Sequence, residues 1–300
     1  MQQIAPSAPI ANSTEFTVIV PAHNEEAVIR RCLETAISGA PAGHRTQLIV
    51  AANGCTDRTL AFAREAVPGI DILDLAQSSK TAAMNAANAI ARPGPRIYLD
   101  ADIRCDYRCL LALAAALGEP GAMAASPAIQ MDLRRSGPVV AAYYRVWLSQ
   151  PYVTCNMVGS GCYGLSVAAQ LRLGDFPEVI GDDIWAHSRF SQSERRSVRK
   201  DAEGREVFFT VTPPRRASDQ IRVETRRRLG NVEVRQKHPS AHYAGSNGPG
   251  DLMTALRNGA NLSDLAIYLG IKLIVRARAG LMARLKRNIA WERDDLARQG

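Results

Sequence analysis

The sequence predicts an α/β protein built on a doubly wound, mostly parallel sheet. Four short apolar runs carry this reading: Phe16–Val20, Gln47–Ala51, Ile70–Leu75 and Arg96–Leu99 all have strand length. Segments of helical periodicity lie between them, giving β-α-β-α-β-α-β. Those connections are long enough for parallel pairing. A third observation is that the fourth run ends in Asp100-Ala101-Asp102. Side chains alternate along a strand, so Asp100 and Asp102 aim the same way until the chain turns. In open α/β sheets ligands sit beyond the carboxyl ends of the strands. Two acids converging there repel each other unless a cation lies between them, and hard oxygen ligands suit Mg²⁺ or Mn²⁺.

Taken in order, Met1–Thr14 is rich in Ala, Pro, Ser and Gln and reads as a disordered arm, with neither the basic start nor the apolar stretch of a signal peptide. After the first strand, Asn24 reads as an N-cap, with Glu25 and Glu26 in the first helical turn. Val28, Ile29, Cys32, Leu33, Ala36 and Ile37 follow at helical spacing. An Asn53-Gly54 turn leads from the second strand into a helix that runs to about Val67. Thr81–Ala91 is an Ala-rich helix closed by Arg92-Pro93-Gly94-Pro95. A further helix starts near Asp106, followed by a strand over Gly121–Ile129 and a helix over Val139–Leu148. The glycine-rich stretch Gly159–Gly164 precedes a helix ending near Leu173. Val179–Trp185 leads into a helix through Phe190. Ser191–Arg205 is charged and reads as an exposed loop, Val207–Val211 as a strand, Ile221–Leu229 as a helix, Gly245–Gly250 as a loop, and the remainder as helical. The organisation expected is an arm (1–14), a nucleotide-binding half (15–102), a second half (103–245) and a helical C-terminal extension (246–300).

Composition bounds the function. With 300 residues, 46% hydrophobic and 22% charged, the chain is of ordinary globular make-up. A net charge of +8 favours anionic partners. The six cysteines have no paired C-x-x-C spacing, which argues against a zinc site and fits reduced thiols in the cytoplasm. No apolar run reaches the ~20 residues needed to span a bilayer. Asn261–Arg287 interleaves apolar and basic residues, and either packs on the domain or lies on the inner membrane face.

Five motifs in order give the chain a family likeness. Val18-Ile19-Val20-Pro21-Ala22-His23-Asn24-Glu25-Glu26, Asn53-Gly54-Cys55-Thr56-Asp57-Arg58-Thr59, Lys80-Thr81-Ala82-Ala83-Met84-Asn85, Asp100-Ala101-Asp102 and Gly181-Asp182-Asp183 resemble the signature segments of family 2 glycosyltransferases. That family adopts the GT-A fold, a Rossmann-like nucleotide-binding half joined to an acceptor half. The resemblance covers Phe16 to about Gly230. It implies that Pro21, Glu25, Asn53 and Asp57 hold the base and ribose of a nucleotide-sugar, UDP by default with GDP or dTDP open. It implies that Lys80 and Asp100 lie by the ribose or diphosphate; the guanidinium fork of Arg226, Arg227 or Arg228 suits the same phosphates. Asp102 would hold Mn²⁺ or Mg²⁺ with Asp100, and His242, or else His238, is the candidate third ligand. Asp183 would be the base of an inverting displacement, its role exchangeable with Asp182. Gly159, Gly161, Tyr163 and Trp185 would meet a small-molecule, glycan or lipid-linked acceptor. Processive relatives carry Gln-x-x-Arg-Trp where this chain has Thr225-Arg226-Arg227-Arg228-Leu229, which implies transfer of one sugar.

Departures and rivals follow from particular residues. Ala52-Asn53 stands where an acidic pair is common, and Ser79 and Thr81 where glycines are. Asn24 and Asp57 can serve only as helix caps, and Lys80 can be a solvated lysine at a helix start. Gly159-x-Gly161-x-x-Gly164 is also a literal dinucleotide fingerprint, which would make the chain an NAD(P)-dependent oxidoreductase. A non-catalytic basic protein binding anions or nucleic acid is a further class, although no nucleic-acid motif appears. A nucleotidyltransferase would need a Gly-rich basic loop after the first strand, which Pro21-Ala22-His23-Asn24-Glu25 is not.

Overall fold

In a computed structural model, the structure describes residues 15–154, 157–243 and 249–285; the expected arm falls outside them. The first half follows the expected alternation. Strands β1 (Thr17–Ala22), β2 (Gln47–Asn53), β3 (Asp71–Leu75) and β4 (Arg96–Leu99) alternate with helices α1 (Ile29–Ile37), α2 (Thr59–Ala66) and α3 (Lys80–Ile90). Next come α4 (Tyr107–Leu117), β5 (Ala124–Met131), α5 (Pro138–Trp147) and the short α6 (Pro151–Thr154). They are followed by β6 (Cys162–Leu165), α7 (Val167–Leu173), α8 (Asp182–His187), β7 (Arg195–Val198) and β8 (Phe208–Val211). Three helices close the described chain: α9 (Ala217–Lys237), α10 (Pro249–Arg257) and α11 (Leu262–Arg284).

The sheet runs β3-β2-β1-β4-β6-β5-β7, with β8 continuing along β5. All its pairings are parallel except the two made by β6. β1 lies between β2 and β4, so the strand order reverses there, and the exits of β1 and β4 flank the crevice where α/β sheets bind ligands. β2 is buried along its whole length, as a central parallel strand covered on both faces should be. One core joins Ile29 and Leu33 of α1 and Leu110 and Leu113 of α4 to Val18, Val50 and Ile97. The opposite face packs Met84 and Ala87 of α3 and Trp185 of α8 on Ile19, Ile49 and Tyr98. A third cluster joins Tyr143, Tyr144 and Trp147 of α5 to Tyr268, Ile271 and Val275 of α11.

Several local expectations are corrected. Asn24 is not the N-cap of α1, which starts five residues later at Ile29 after Val28. Asn24 instead adopts a left-handed backbone (φ 51) and accepts from the Thr56 N–H on the neighbouring loop. A short polar side chain tolerates that conformation best after glycine. β6 was not foreseen, because Gly159–Gly164 looks like a turn; it pairs antiparallel with both β4 and β5. Ser191–Arg205 contains β7, which adds to the sheet through the backbone, and its Arg195 is buried. α9 extends past both ends of the expected helix. Of the expected 245–250 loop, residues 249 and 250 belong to α10, and the rest lie outside the described residues.

α11 is both a packed and an exposed helix. Tyr268, Ile271, Val275 and Ala279 are buried against the domain, while Leu262, Leu269, Leu273, Ile274, Leu281 and Leu285 face outward. Arg145 of α5 clamps Asp264 in its first turn with two hydrogen bonds, 3.0 and 2.6 Å. Among the described residues, no helix is long and apolar enough to cross a membrane.

His187, at the end of α8, gives the fold a pH dependence. It is buried, its Nδ1 accepts from the Val158 N–H at 3.2 Å, and the Arg195 guanidinium lies against its ring. Burial, then the Arg195 charge, push its pKa down to about 3 from 6.5. The unfolded chain therefore binds a proton below about pH 6.5 that the folded chain refuses, and stability falls as pH drops from there toward 3. His187→Gln should flatten part of that acid limb, a difference of about 1–3 kcal/mol between pH 6.5 and 4.5 in denaturant titrations. Parallel pH profiles for the two proteins would show that His187 contributes nothing.

Candidate active site

The exits of β1 and β2 are zipped together by side chains. Asn53 Nδ2 donates to the Ala22 carbonyl at 2.9 Å, and the Glu25 N–H donates to Thr59 Oγ1 at 2.7 Å. Asp57 precedes Arg58, the N-cap of α2, and accepts from the N–H of that helix's first residue, Thr59, at 3.0 Å and from the Glu26 N–H at 3.1 Å. The Arg58 N–H in turn donates to Glu26 at 3.0 Å. Pro21, Glu25 and Asn53 are buried along this seam. The two loops thus behave as one rigid rim on the crevice.

Across the crevice the ion pairing centres on Lys80, the first residue of α3, whose turn is capped by Ser79. Its ammonium sits 2.8 Å from Asp100 and 2.9 Å from Asp182, with 20% of its side chain exposed. It is not the solvated lysine that a helix start suggests. Burial opposes its charge, but the two carboxylates outweigh burial and raise its pKa. Asp182 is 3% exposed and also accepts from the Tyr163 hydroxyl at 3.3 Å. Its own pKa is raised, by burial first and by repulsion from Asp183 and Asp100, against the pull of Lys80. Asp100 keeps 40% of its side chain exposed, and its N–H donates to the Gly161 carbonyl at 2.8 Å.

Asp183 takes the other direction. One carboxylate oxygen accepts from the Ser160 N–H at 3.2 Å and the other from the Ile184 N–H at 2.7 Å. A cavity of about 610 Å³ opens beside it, walled by α8, α9 and α11. Gly159 is the reason the carboxylate fits. Its φ is +126°, and a Cβ there would lie 2.8 Å from the Asp183 Cβ. At Gly161 (φ +105°) a Cβ would lie 2.8 Å from Ile103. These glycines were expected to let the backbone approach an acceptor sugar. Instead they let the turn close on Asp183 and on Ile103, beside the acids of the β4 exit.

The remaining expected residues scatter. Tyr163 and Trp185 are buried in the core, with rings on Tyr98 (5.2 Å) and Phe176 (5.2 Å), so they do not face an acceptor. Aromatic residues next to polar motifs were read as contacts, whereas they pack beneath the site. Arg228 lines the cavity and Arg226 does not. His242 is exposed, and its N–H donates to Ser240 Oγ at 3.1 Å. Among the described residues, no three His, Cys, Asp or Glu side chains gather to hold a metal. A Mg²⁺-like ion needs only one or two carboxylates when substrate phosphates and water complete its shell. Asp100 and Asp102, both reachable from solvent, fit that requirement. Cys32 beneath them reports their joint charge: burial, then Asp102 and Asp100, push its thiol up.

One cluster is not expected from sequence, where Arg227 is a candidate phosphate ligand and Glu224 has no role. Glu224 of α9 is buried and pairs with Arg227 at 2.7 Å and with Lys272 of α11 at 3.1 Å. The signal for it was Lys272, a lone charge inside the apolar run of the last helix. The dinucleotide reading of Gly159, Gly161 and Gly164 fails on geometry. That fingerprint links a strand to a helix, whereas these glycines enter and lie within antiparallel β6.

Residues 17–156 match the family model described as Glycosyl transferase family 2. No curated protein matches the chain. Among solved structures, the chain is similar to a mannosyltransferase, PcManGT, from Pyrobaculum calidifontis in complex with GDP-Man and Mn²⁺. The identity is 19% and the TM-score 0.56, over 88% of this chain and 75% of that one. It is also similar to glucosyl-3-phosphoglycerate synthase from Mycobacterium tuberculosis. The complex of that protein with phosphoglyceric acid is 20% identical with a TM-score of 0.54, over 78% of this chain and 85% of that one. Its complex with Mn²⁺, UDP and glucosyl-3-phosphoglycerate is 19% identical with a TM-score of 0.53, over 79% and 86%. Residues 17–156 are therefore the part of the chain that matches glycosyltransferase family 2, and the α/β fold is of the GT-A type.

Proposed function

We propose that the protein transfers one sugar from a nucleoside diphosphate sugar to an acceptor hydroxyl, with inversion at the anomeric carbon. The observation that carries this is the division of labour between adjacent acids. Asp182 is held by Lys80 and Tyr163, while Asp183 lies on the wall of a cavity large enough for a small ligand. A general base must first be placed within reach of the proton it takes. Asp183 receives the proton of the acceptor hydroxyl. The acceptor oxygen bonds to the anomeric carbon as the bond from that carbon to the diphosphate breaks, and the electron pair leaves on the diphosphate. The Asn53–Asp57 and Pro21–Glu25 rim receives the base and ribose, and Arg228 or Arg226 approaches the phosphates. Asp102 with Asp100 would hold Mn²⁺ or Mg²⁺, which neutralises charge on the departing diphosphate. Lys80 keeps Asp100 oriented and lowers the cost of crowding three acids. Residues 225–229 lack the Gln and Trp of processive enzymes, in keeping with a single transfer. The outward apolar residues of α11, with Arg276, Arg278 and Arg284, suit contact with an anionic membrane face.

Two outcomes follow. In a panel of UDP-, GDP- and dTDP-sugars, at least one donor should turn over with Mn²⁺, and excess EDTA should abolish turnover. Asp102→Asn should cost at least ~100-fold with the fold intact, and full activity in EDTA would remove the metal from the account. For the base, Asp183→Asn should lower transfer ~10²–10⁴-fold while nucleotide binding persists. Gly159→Ala, which drives a methyl into Asp183, should lower transfer about 100-fold by displacement alone. Gly174→Ala adds similar backbone strain with no atom nearby and serves as its control. An active Gly159→Ala enzyme would mean that the position of Asp183 is immaterial.

A further inference from the structure

The cavity beside Asp183 carries a charge imbalance of its own. Arg227, Arg228, Arg235, Lys272 and Arg276 line it, against the carboxylates of Glu224 and Asp183. Glu224 is 5% exposed in its side chain and is shared by Arg227 and Lys272. One buried carboxylate thus answers two half-buried cations, Arg227 and Lys272, whose side chains are 35% and 32% exposed. The rings of Tyr143 and Tyr268, 5.5 and 5.4 Å from the Lys272 ammonium, supply part of the missing stabilisation. Burial, together with Arg227 and Arg228, still pulls the Lys272 pKa down despite Glu224. His187, which also lines the cavity, adds no negative charge. Apart from Ser160 and Asn231, the remaining wall is largely apolar, including Tyr152, Leu252 and Leu269.

Cations gathered around one cavity in excess of its carboxylates repel one another, and an anion seated among them relieves that repulsion. We propose that this cavity seats an acceptor bearing a phosphate group, which Lys272 and Arg276 of α11 hold while the acceptor hydroxyl reaches Asp183. A phosphate oxygen accepts charge-assisted hydrogen bonds from the ammonium and the guanidinium fork. The tyrosine and leucine surface takes the carbon skeleton. This assignment rests on Asp183 acting as the base, and it adds the chemical class of the acceptor. The phosphate can belong to a soluble phosphate monoester or to a lipid headgroup, since α11 carries exposed Leu273 and Ile274 beside the cavity-lining Leu269 and Arg276.

The test reads binding in the full chain without any transfer. Glycerol 3-phosphate and glycerol are titrated calorimetrically, and vesicles of phosphatidylcholine with and without phosphatidic acid are tested by co-sedimentation. Glycerol 3-phosphate should bind at least about tenfold more tightly than glycerol, and Arg276→Gln should weaken it about tenfold. Arg276 is exposed, so that variant folds; Arg30→Gln, on α1, should have no effect. Arg276-dependent binding of the free ester supports the pocket with a soluble acceptor. Arg276-dependent binding confined to phosphatidic acid vesicles supports it with a lipid-linked one. Binding of neither probe, or binding indifferent to Arg276→Gln, overturns the proposal. Nucleotide-sugar turnover without phosphate binding overturns the pocket alone. Phosphate binding without turnover of any nucleotide-sugar leaves the pocket standing and overturns the enzymatic reading.

Discussion

The Lys80 ammonium, shared by Asp100 and Asp182, is the interaction on which the site depends. It joins the start of α3, the exit of β4 and the start of α8, segments that are 20 and 82 residues apart along the chain. Three carboxylates crowd this region, and a buried one without a cation would neutralise or move. With Lys80 in place, Asp182 stays against Tyr163, and α8 is fixed so that Asp183 points into the cavity. Gly159 and Gly161 complete the arrangement by letting the β6 turn close where side chains would collide. Asp182 is thus tied into the scaffold, which is why the proposed mechanism gives the chemistry to Asp183.

Much of this was legible in the sequence. The β1–β4 alternation and the acids at its end follow from apolar run length and strand alternation, and the family likeness followed from the order of the motifs. Misreadings came where local pattern competed with tertiary context. Asn24 has the composition of a helix cap but spans to Thr56, because the two loops are stitched together by long-range side-chain hydrogen bonds. Trp185 and Tyr163 lie beside motif residues in sequence and beneath them in space. β6 and β7 are recruited to the sheet by backbone pairing that leaves no periodic apolar signature, and Arg195 is charged yet buried. Glu224 and Lys272 meet across 48 residues, a pairing no local spacing encodes.

The last helices extend the site rather than merely covering it. α9 is held to the α8 loop by Glu233, which accepts from the Ile180 N–H at 3.1 Å, and Gly230 permits the close approach to Ile180. α11 is held by the Arg145–Asp264 clamp and by the aromatic cluster on α5. The cationic wall is therefore fixed relative to Asp183 by packing. In the proposed reading, the base and ribose meet the first half of the chain and the acceptor meets the last helices, with Lys80 and α8 as the joint between them.

A double-mutant cycle on Lys80→Met and Asp182→Asn, read as unfolding free energy, tests that joint most directly. The account predicts that each single substitution destabilises and that the pair is strongly non-additive, with a coupling of about 1–3 kcal/mol. Additivity within about 0.5 kcal/mol would contradict it, because Lys80 and Asp182 would then not depend on each other.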